Sequence, residues 1–261
     1  MPELKHGLGE INKSSQKLNL SCKKMTEAEK NFFLKNGYLH ARQVLAPELL
    51  DKVRAEFEQI WTAEGRANQL VLLKHRTFID LIEHPPILAR QAAIFGRQTQ
   101  LLQYDFLRQE PGSTVPLRSW HRDLSFPGDR PLAINTIVYL DPMNDLSGPT
   151  YVVPGSHRGE ELPPSTAGDR PLPTEVPVYA EPGDAVFINS AIWHSGSRNQ
   201  SQGLRRGIYM YYGHWWMKRY EAGFTLPSEC LEDASETRLR LLGYRMPDRD
   251  LHIYDPTLPF A

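Results

Sequence analysis

Cysteine is scarce in this chain: 261 residues hold two, Cys22 and Cys230. They stand far apart and form no C-x-x-C pair, which argues against a zinc knuckle or a disulfide framework and fits a reducing, cytoplasmic setting. Long apolar runs are missing too. Nowhere do about 18 apolar residues follow one another, and the opening "MPELKHGLGEINKSSQKLNLSCKK" lacks the apolar segment of a signal peptide, so neither a membrane span nor export is expected. Charge is balanced: 30 Lys and Arg against 31 Asp and Glu give a formal net charge of -1, with no electrostatic case for nucleic acid or an anionic membrane. No internal repeat is evident. What remains is a globular chain, 40% hydrophobic, that is expected to act on a small molecule; its oligomeric state is not readable.

The pattern along the chain predicts a polar N-terminal arm over 1–24 and one domain over 25–261. Thr26 and Glu29, spaced as a capping box, open a helix expected at 26–36 that Gly37 closes, and a short strand over 38–44 follows. Leu49, Leu50, Val53, Phe57 and Ile60 recur at three- and four-residue steps between Pro47 and Gly65 and predict an amphipathic helix; a third is expected at 86–97. After residue 98 the character changes. Pro and Gly recur between short runs rich in Val, Ile, Tyr, Phe and Trp, which predicts strands near 99–109, 117–123, 132–140, 149–153, 175–180, 184–189, 193–198 and 205–216. A β-sandwich or barrel over about 99–216, braced by a helical support over about 25–98, is the architecture this implies. The extension over 217–261, with "SECLEDASETRLRLLGYRM" helical, is expected to pack on the outside.

The stretch "RSWHRDLSFPGD" carries the chemistry. His121 and Asp123 are two apart, so an extended backbone sends imidazole and carboxylate to the same side, as two metal ligands require. A third ligand must then come from another strand. "GDAVFINSAIWHSGSRNQSQGLRRG" offers His194 at the head of a strand, with Arg205 eleven residues on at the start of the next. Strand alternation places Arg205, Gly207, Tyr209 and Tyr211 inward and Arg206, Ile208 and Met210 toward the helices. Trp215 joins the inward aromatics, while Trp120 and Trp193 point away from the metal. The letters HRD also occur in the protein-kinase catalytic loop, but Gly128 stands where that loop needs asparagine, and no glycine-rich loop or D-F-G accompanies it.

The ordered set His121-x-Asp123, His194 and Arg205, with "NTIVYLDP" and "YVVPGSHRG" between, resembles the phytanoyl-CoA dioxygenase family of iron(II)- and 2-oxoglutarate-dependent oxygenases, over about residues 26–216. The resemblance implies a mainly β fold with α, a double-stranded β-helix (jelly-roll, cupin-like) core braced by N-terminal helices. It makes His121, Asp123 and His194 the catalytic iron ligands, a two-histidine, one-carboxylate set that leaves positions for the 2-oxo acid and dioxygen. Arg205 becomes the partner of the distal carboxylate of 2-oxoglutarate, which its fork matches. Asn135 and Gln103 are candidate hydrogen-bond partners of 2-oxoglutarate, or polar groups satisfied by neighbouring backbone; His157 is expected to be structural.

Two departures from the family pattern stand out: Arg122 inside the ligand pair, expected to point outward, and Gly196 two positions after His194, where serine is common. The implied reaction is hydroxylation, or a related oxidation such as desaturation, of an unactivated C–H bond in a small-molecule metabolite. It yields succinate and CO2, with ascorbate as reductant in vitro. A halogenase would need Asp123 replaced by Ala or Gly. The alternative is a barrel of the same fold that binds a metal or small molecule without turnover. Substrate identity is not readable, since fold kinship does not transfer it.

Overall fold

A computed structural model of the chain describes residues 25–164, 170–219, 223 and 225–245; the expected arm over 1–24, with Cys22, lies outside the described residues. The first helix, α1 (Glu27–Asn36), begins with the expected capping box: the Glu29 N–H donates to Thr26 Oγ1 at 3.1 Å and the Thr26 N–H to Glu29 Oε2 at 2.7 Å. It ends at Gly37, whose φ of 82° lets its N–H return to the Phe33 carbonyl. Strand β1 (Tyr38–Ala41) follows, then α2 (Pro47–Glu64), which buries Leu50, Val53, Phe57 and Ile60 as the periodicity requires. Two short helices come next, α3 (Gln69–Leu72) and α4 (Arg76–Leu81), which the sequence pattern does not disclose. The third expected helix is present as α5 (Pro85–Phe95).

The β region comprises β2 (Thr99–Gln109), β3 (Ala133–Tyr139), β4 (Thr150–Val152), β5 (Val176–Val178), β6 (Ala185–Asn189), β7 (His194–Ser195) and β8 (Arg205–His214). They form two antiparallel sheets, one of order β1-β6-β3-β8-β2 and one of order β5-β4-β7. This is the double-stranded β-helix core with helical bracing. The helices cover one face of the larger sheet: Phe33, Val53, Phe57, Phe78 and Ile87 pack against Tyr104, Phe106, Phe187, Ile208, Met210 and Tyr212. Its other face meets the smaller sheet through Ile137, Tyr139, Val152, Val178, Val186 and Ile188. The alternation expected for β8 is therefore the one observed.

Strand β2 carries an irregularity that decides which of its side chains face inward. Leu101 pairs with Tyr212 but Gln103 with Tyr211, so Leu102 is an inserted residue, a β-bulge. The insertion reverses the side-chain parity of β2. Tyr104 and Phe106 join the helix-side core, while Gln103, Asp105, Leu107 and Gln109 face the interior. Gly213 makes room for the bulge, because a Cβ there would stand 2.7 Å from Leu102 Cδ1 and 2.9 Å from the Leu132 carbonyl oxygen.

Three expectations need correction. Residues 117–123 form no strand; the segment, with Pro116, Pro127 and Pro131 removing backbone donors around it, contributes one antiparallel bridge, His121 to His194. Strand β8 ends at His214, so Trp215 is not an inward strand residue. The C-terminal extension is only partly helical, with α6 (Glu236–Leu241) preceded by a single 3-10 turn over Ser228–Cys230. It does more than cover the surface: Leu226, Cys230, Leu241 and Leu242 belong to the main core, and Arg238 donates to Glu83 and caps that contact. Residues 246–261 lie outside the described part.

Phe57 is fully buried and stacks on Phe106 with ring centroids 4.1 Å apart, joining α2 to β2. Phe57→Ala is expected to cost about 3–5 kcal/mol of stability, from lost burial plus a cavity. Urea unfolding followed by circular dichroism reads this; a loss below about 1 kcal/mol would show that the α2–β2 contact does not hold the layers together.

Candidate active site

Between the two sheets lies a cleft of about 400 Å3. His121 enters it from the loop between β2 and β3, and His194 from the head of β7. Their backbones are joined twice, His121 N–H to the His194 carbonyl and His194 N–H to the His121 carbonyl, each at 3.0 Å. Ser119 N–H adds a bond to Ser195 Oγ at 2.6 Å, and Leu124 N–H one to the Ser190 carbonyl at 2.9 Å. Asp123, between these ties, points its carboxylate at both rings: Oδ1 lies 3.6 Å from His121 Nε2 and 3.6 Å from His194 Nε2. One donor atom from each of the three side chains falls within 4.8 Å of the others, a spacing that can hold one metal ion.

The far side of each ring decides its tautomer. His121 Nδ1 is 2.8 Å from the Ser119 carbonyl and His194 Nδ1 is 3.1 Å from the Ile192 carbonyl. A carbonyl only accepts, so each Nδ1 carries the proton and each Nε2 presents a lone pair toward the cluster. Burial pushes the His194 imidazole below its ordinary pKa, against the pull of Asp123, which favours the neutral form a metal needs. The donor set, two imidazoles and a carboxylate, suits a divalent transition metal.

Arg205 lies at the other end of the cleft wall, almost wholly buried. Its Nε donates to the Gly148 carbonyl at 2.9 Å, and its terminal nitrogens donate to no described residue. Gly148 has φ of 83°, and a Cβ there would overlap the Arg198 carbonyl, so only glycine brings this carbonyl close enough to aim the guanidinium. Arg206 turns to the opposite face. It forms a two-nitrogen pair with Asp141, at 2.9 and 2.7 Å, and reaches Glu58 of α2 at 2.9 Å.

Asn135 and Gln103 also line the cleft. Asn135 Nδ2 is 3.5 Å from Asp123 Oδ2, and its Oδ1 is buried without a partner among the described residues. Gln103 Nε2 donates to Asp105 Oδ2 at 2.8 Å. Tyr209 and Tyr211 line the cleft as expected, whereas Trp120 and Trp193 do not. Arg122 neither meets solvent freely nor enters the cleft: it donates to the Ser156 and Gly159 carbonyls at 2.9 and 2.7 Å. His157 is buried and structural, its Nε2 3.1 Å from the Leu34 carbonyl. Gly196 lines the cleft, and a Cβ there would meet nothing within 4 Å.

Lining residues that were not anticipated include Arg66, Asp105 and Thr150. Asp105 had a signal, since it lies two positions from Gln103 on one strand and must share its face. Thr150, whose Oγ1 is 2.6 Å from Tyr139 Oη, and Arg66, in the loop after α2, had none.

Fold and cleft together define a class, the double-stranded β-helix enzymes that hold a metal by two histidines and one carboxylate. A family model described as phytanoyl-CoA dioxygenase (PhyH) matches residues 33–207. The chain belongs to this family of iron(II)- and 2-oxoglutarate-dependent oxygenases, and it is a dioxygenase. It is 23% identical over 237 residues to the dioxygenase trt7 of Aspergillus terreus, covering 80% of this chain and 81% of that one. It is 29% identical over 146 residues to the iron/alpha-ketoglutarate-dependent dioxygenase penM of Penicillium thymicola, covering 52% and 45%. The fold is similar to the crystal structure of HygX from Streptomyces hygroscopicus with nickel and 2-oxoglutarate bound, with a TM-score of 0.65 at 20% identity, covering 76% of this chain and 90% of that one.

His121→Ala, Asp123→Ala and His194→Ala should each weaken metal binding by more than about 100-fold, beyond the range typical of losing a group that merely orients a ligand. Anaerobic iron(II) titration measures it, with the thermal melt as the control for folding. Wild-type affinity in any one variant would remove that residue from the metal site.

Proposed function

We propose that this dioxygenase hydroxylates an unactivated C–H bond of a small-molecule metabolite, with His121, Asp123 and His194 as the iron ligands and Arg205 as the anchor of 2-oxoglutarate. One observation carries the reading. Two tautomer-fixed imidazoles and a carboxylate share a cleft with a buried arginine whose terminal nitrogens are free of described partners. The HygX structure, which holds nickel and 2-oxoglutarate on a similar fold, supports it.

When bound, iron(II) and 2-oxoglutarate supply the activation of dioxygen, coupled to decarboxylation of 2-oxoglutarate to succinate and CO2. The chain's own contribution is placement and exclusion. Arg205, aimed by Gly148, presents its two terminal nitrogens to the distal carboxylate, a pairing whose geometry selects a dicarboxylate. Asn135 and Gln103 are placed to steady the co-substrate. Gln103 has one amide hydrogen committed to Asp105 and a second available, and Asn135 sits beside Asp123. Tyr209 and Tyr211 wall the cleft against water.

No helix among the described residues is long and apolar enough to cross a membrane. A cytoplasmic location is part of this proposal. Cys230 is buried and burial pushes its thiol up to about 11, so it is a core residue rather than a redox group.

Arg205→Ala should keep iron affinity while weakening 2-oxoglutarate binding tenfold or more, because a charge-assisted pair contributes roughly 1.5–3 kcal/mol. Arg205→Lys should recover part of it, having charge without the fork. Arg206→Ala should leave 2-oxoglutarate affinity near wild type and lower the melting temperature instead, since it removes the guanidinium that pairs with Asp141 and Glu58. The charge-transfer absorbance of the anaerobic iron protein titrated with 2-oxoglutarate reports all three, and no loss in Arg205→Ala would sink the assignment.

A further inference from the structure

Two arginines flank the first pair of candidate metal ligands, and neither lines the cleft. Arg118 stands three residues before His121, and Arg122 stands between His121 and Asp123. Both reach the same stretch, residues 151–159, which runs from β4 into the turn after it. The Arg118 guanidinium lies over the Tyr151 ring at 3.4 Å and is held there by Glu175, with Nε 3.1 Å from Oε2 and Nη2 2.5 Å from Oε1. Tyr151 pairs across the sheet with Ser195, the residue after His194, and Ser195 Oγ accepts the Ser119 N–H at 2.6 Å. These contacts close a ring from Arg118 through Tyr151 and Ser195 back to Ser119.

Arg122 closes a second ring on the other side of His194. Its Nη2 donates one hydrogen to the Ser156 carbonyl at 2.9 Å and one to the Gly159 carbonyl at 2.7 Å. Ser156 Oγ in turn accepts the N–H of Trp193, the residue before His194, at 2.8 Å, and the Arg122 guanidinium lies 6.0 Å from the Trp193 ring centre. We propose that Arg118 and Arg122 are positioning residues of the metal site, which bracket the His121–Asp123 segment against His194 by anchoring both to residues 151–159. This inference rests on the dioxygenase reading above, in which His121, Asp123 and His194 hold the iron.

The need for brackets follows from the geometry of the loop. The paired backbone bonds between His121 and His194 fix one point of contact, and a segment held at one point is free to pivot about it. A metal site tolerates little pivoting, since its donor atoms must stay within about 0.5 Å of the productive arrangement. Arg118 acts before that point and Arg122 after it, and their anchors meet the residues on either side of His194. The residue types suit the task. A planar guanidinium stacks on Tyr151 with its face while its edge donates to Glu175, a combination that an ammonium lacks. Gly155, with φ of 82°, opens the 3-10 turn Ser156–Arg158 that brings the Ser156 and Gly159 carbonyls to one nitrogen of Arg122.

The test compares metal binding with folding in the full chain. Anaerobic iron(II) titration gives affinity, the visible bands of the cobalt(II)-loaded protein report ligand geometry, and the thermal melt reports stability. Arg122→Gln, whose amide ends short of both carbonyls, is expected to weaken iron(II) about tenfold, the lower end of what groups that orient a ligand contribute, and to shift the cobalt bands. Arg122→Lys, long enough to reach a carbonyl, should recover part of both. Arg118→Ala would leave the Glu175 carboxylate buried and unpaired, so both partners are replaced together, Arg118→Met with Glu175→Leu, a change that often leaves stability intact. That double variant should melt near the wild type yet weaken iron(II) about tenfold. Arg206→Ala, which gives up a comparable ion pair away from the metal, should lower the melt and leave iron affinity and cobalt bands unchanged. Wild-type affinity and bands in Arg122→Gln or in the double variant overturn the proposal, as does a loss of iron affinity in Arg206→Ala equal to theirs. A His121→Ala chain that binds iron(II) as the wild type does overturns the ligand assignment, and this inference falls with it.

Discussion

Two backbone hydrogen bonds between His121 and His194 are the constraint on which the site depends. They join a loop with no strand of its own to the two-residue strand β7. Without them, His121 and Asp123 would ride on a long connection between β2 and β3, and loop entropy would work against any fixed geometry. Further ties spread along the same loop: Ser119 to Ser195, Leu124 to Ser190, and Gly128 to the His157 carbonyl. Arg118 adds a two-nitrogen contact with the nearly buried Glu175 and lies over the Tyr151 ring at 3.4 Å, joining the approach to His121 to the smaller sheet. The loop behaves as a strand substitute, held by side chains and isolated bonds where a ladder would have held it.

Strand β8 solves a different problem, which is to place two adjacent arginines in two environments. Pleating turns Arg205 into the cleft and Arg206 toward α2. Arg206 is satisfied by Asp141 and Glu58, so its charge is spent on structure. Arg205 has one nitrogen on Gly148, and its others donate to no described residue. Residues 207–212 repeat this division, with Tyr209 and Tyr211 in the cleft and Ile208, Met210 and Tyr212 in the core beneath the helices. One strand thus couples the packing of the helical layer to the lining of the site.

Much of the helical support could be read from local signals because local physics makes it. A capping box and a left-handed glycine bound α1, and a seven-residue apolar period between proline and glycine bounds α2. Helices α3 and α4 escaped because four and six residues carry too little periodicity to stand out, and their Leu72, Phe78 and Ile79 are buried by neighbours distant in sequence. The strand expected over 117–123 failed for a related reason: Trp120 and His121 suit a strand, but prolines on either side leave too few donors for a ladder.

The sequence by itself determined the chemistry on offer: the order His121, Asp123, His194, Arg205, and the two-residue spacing that turns the first pair to one side. It also determined which face of β8 is apolar, and so which arginine is spent on the helices. Only the tertiary structure decided the face of β2. Its parity depends on where the strand pairs, and the inserted Leu102, accommodated opposite Gly213, turns Gln103 and Asp105 inward and Tyr104 outward. The tautomers of the two histidines were likewise decided in three dimensions, by the carbonyls of Ser119 and Ile192. A side chain's identity is local, whereas the direction it faces and the partner it meets follow from the register of a neighbouring strand, and no window of sequence contains that neighbour.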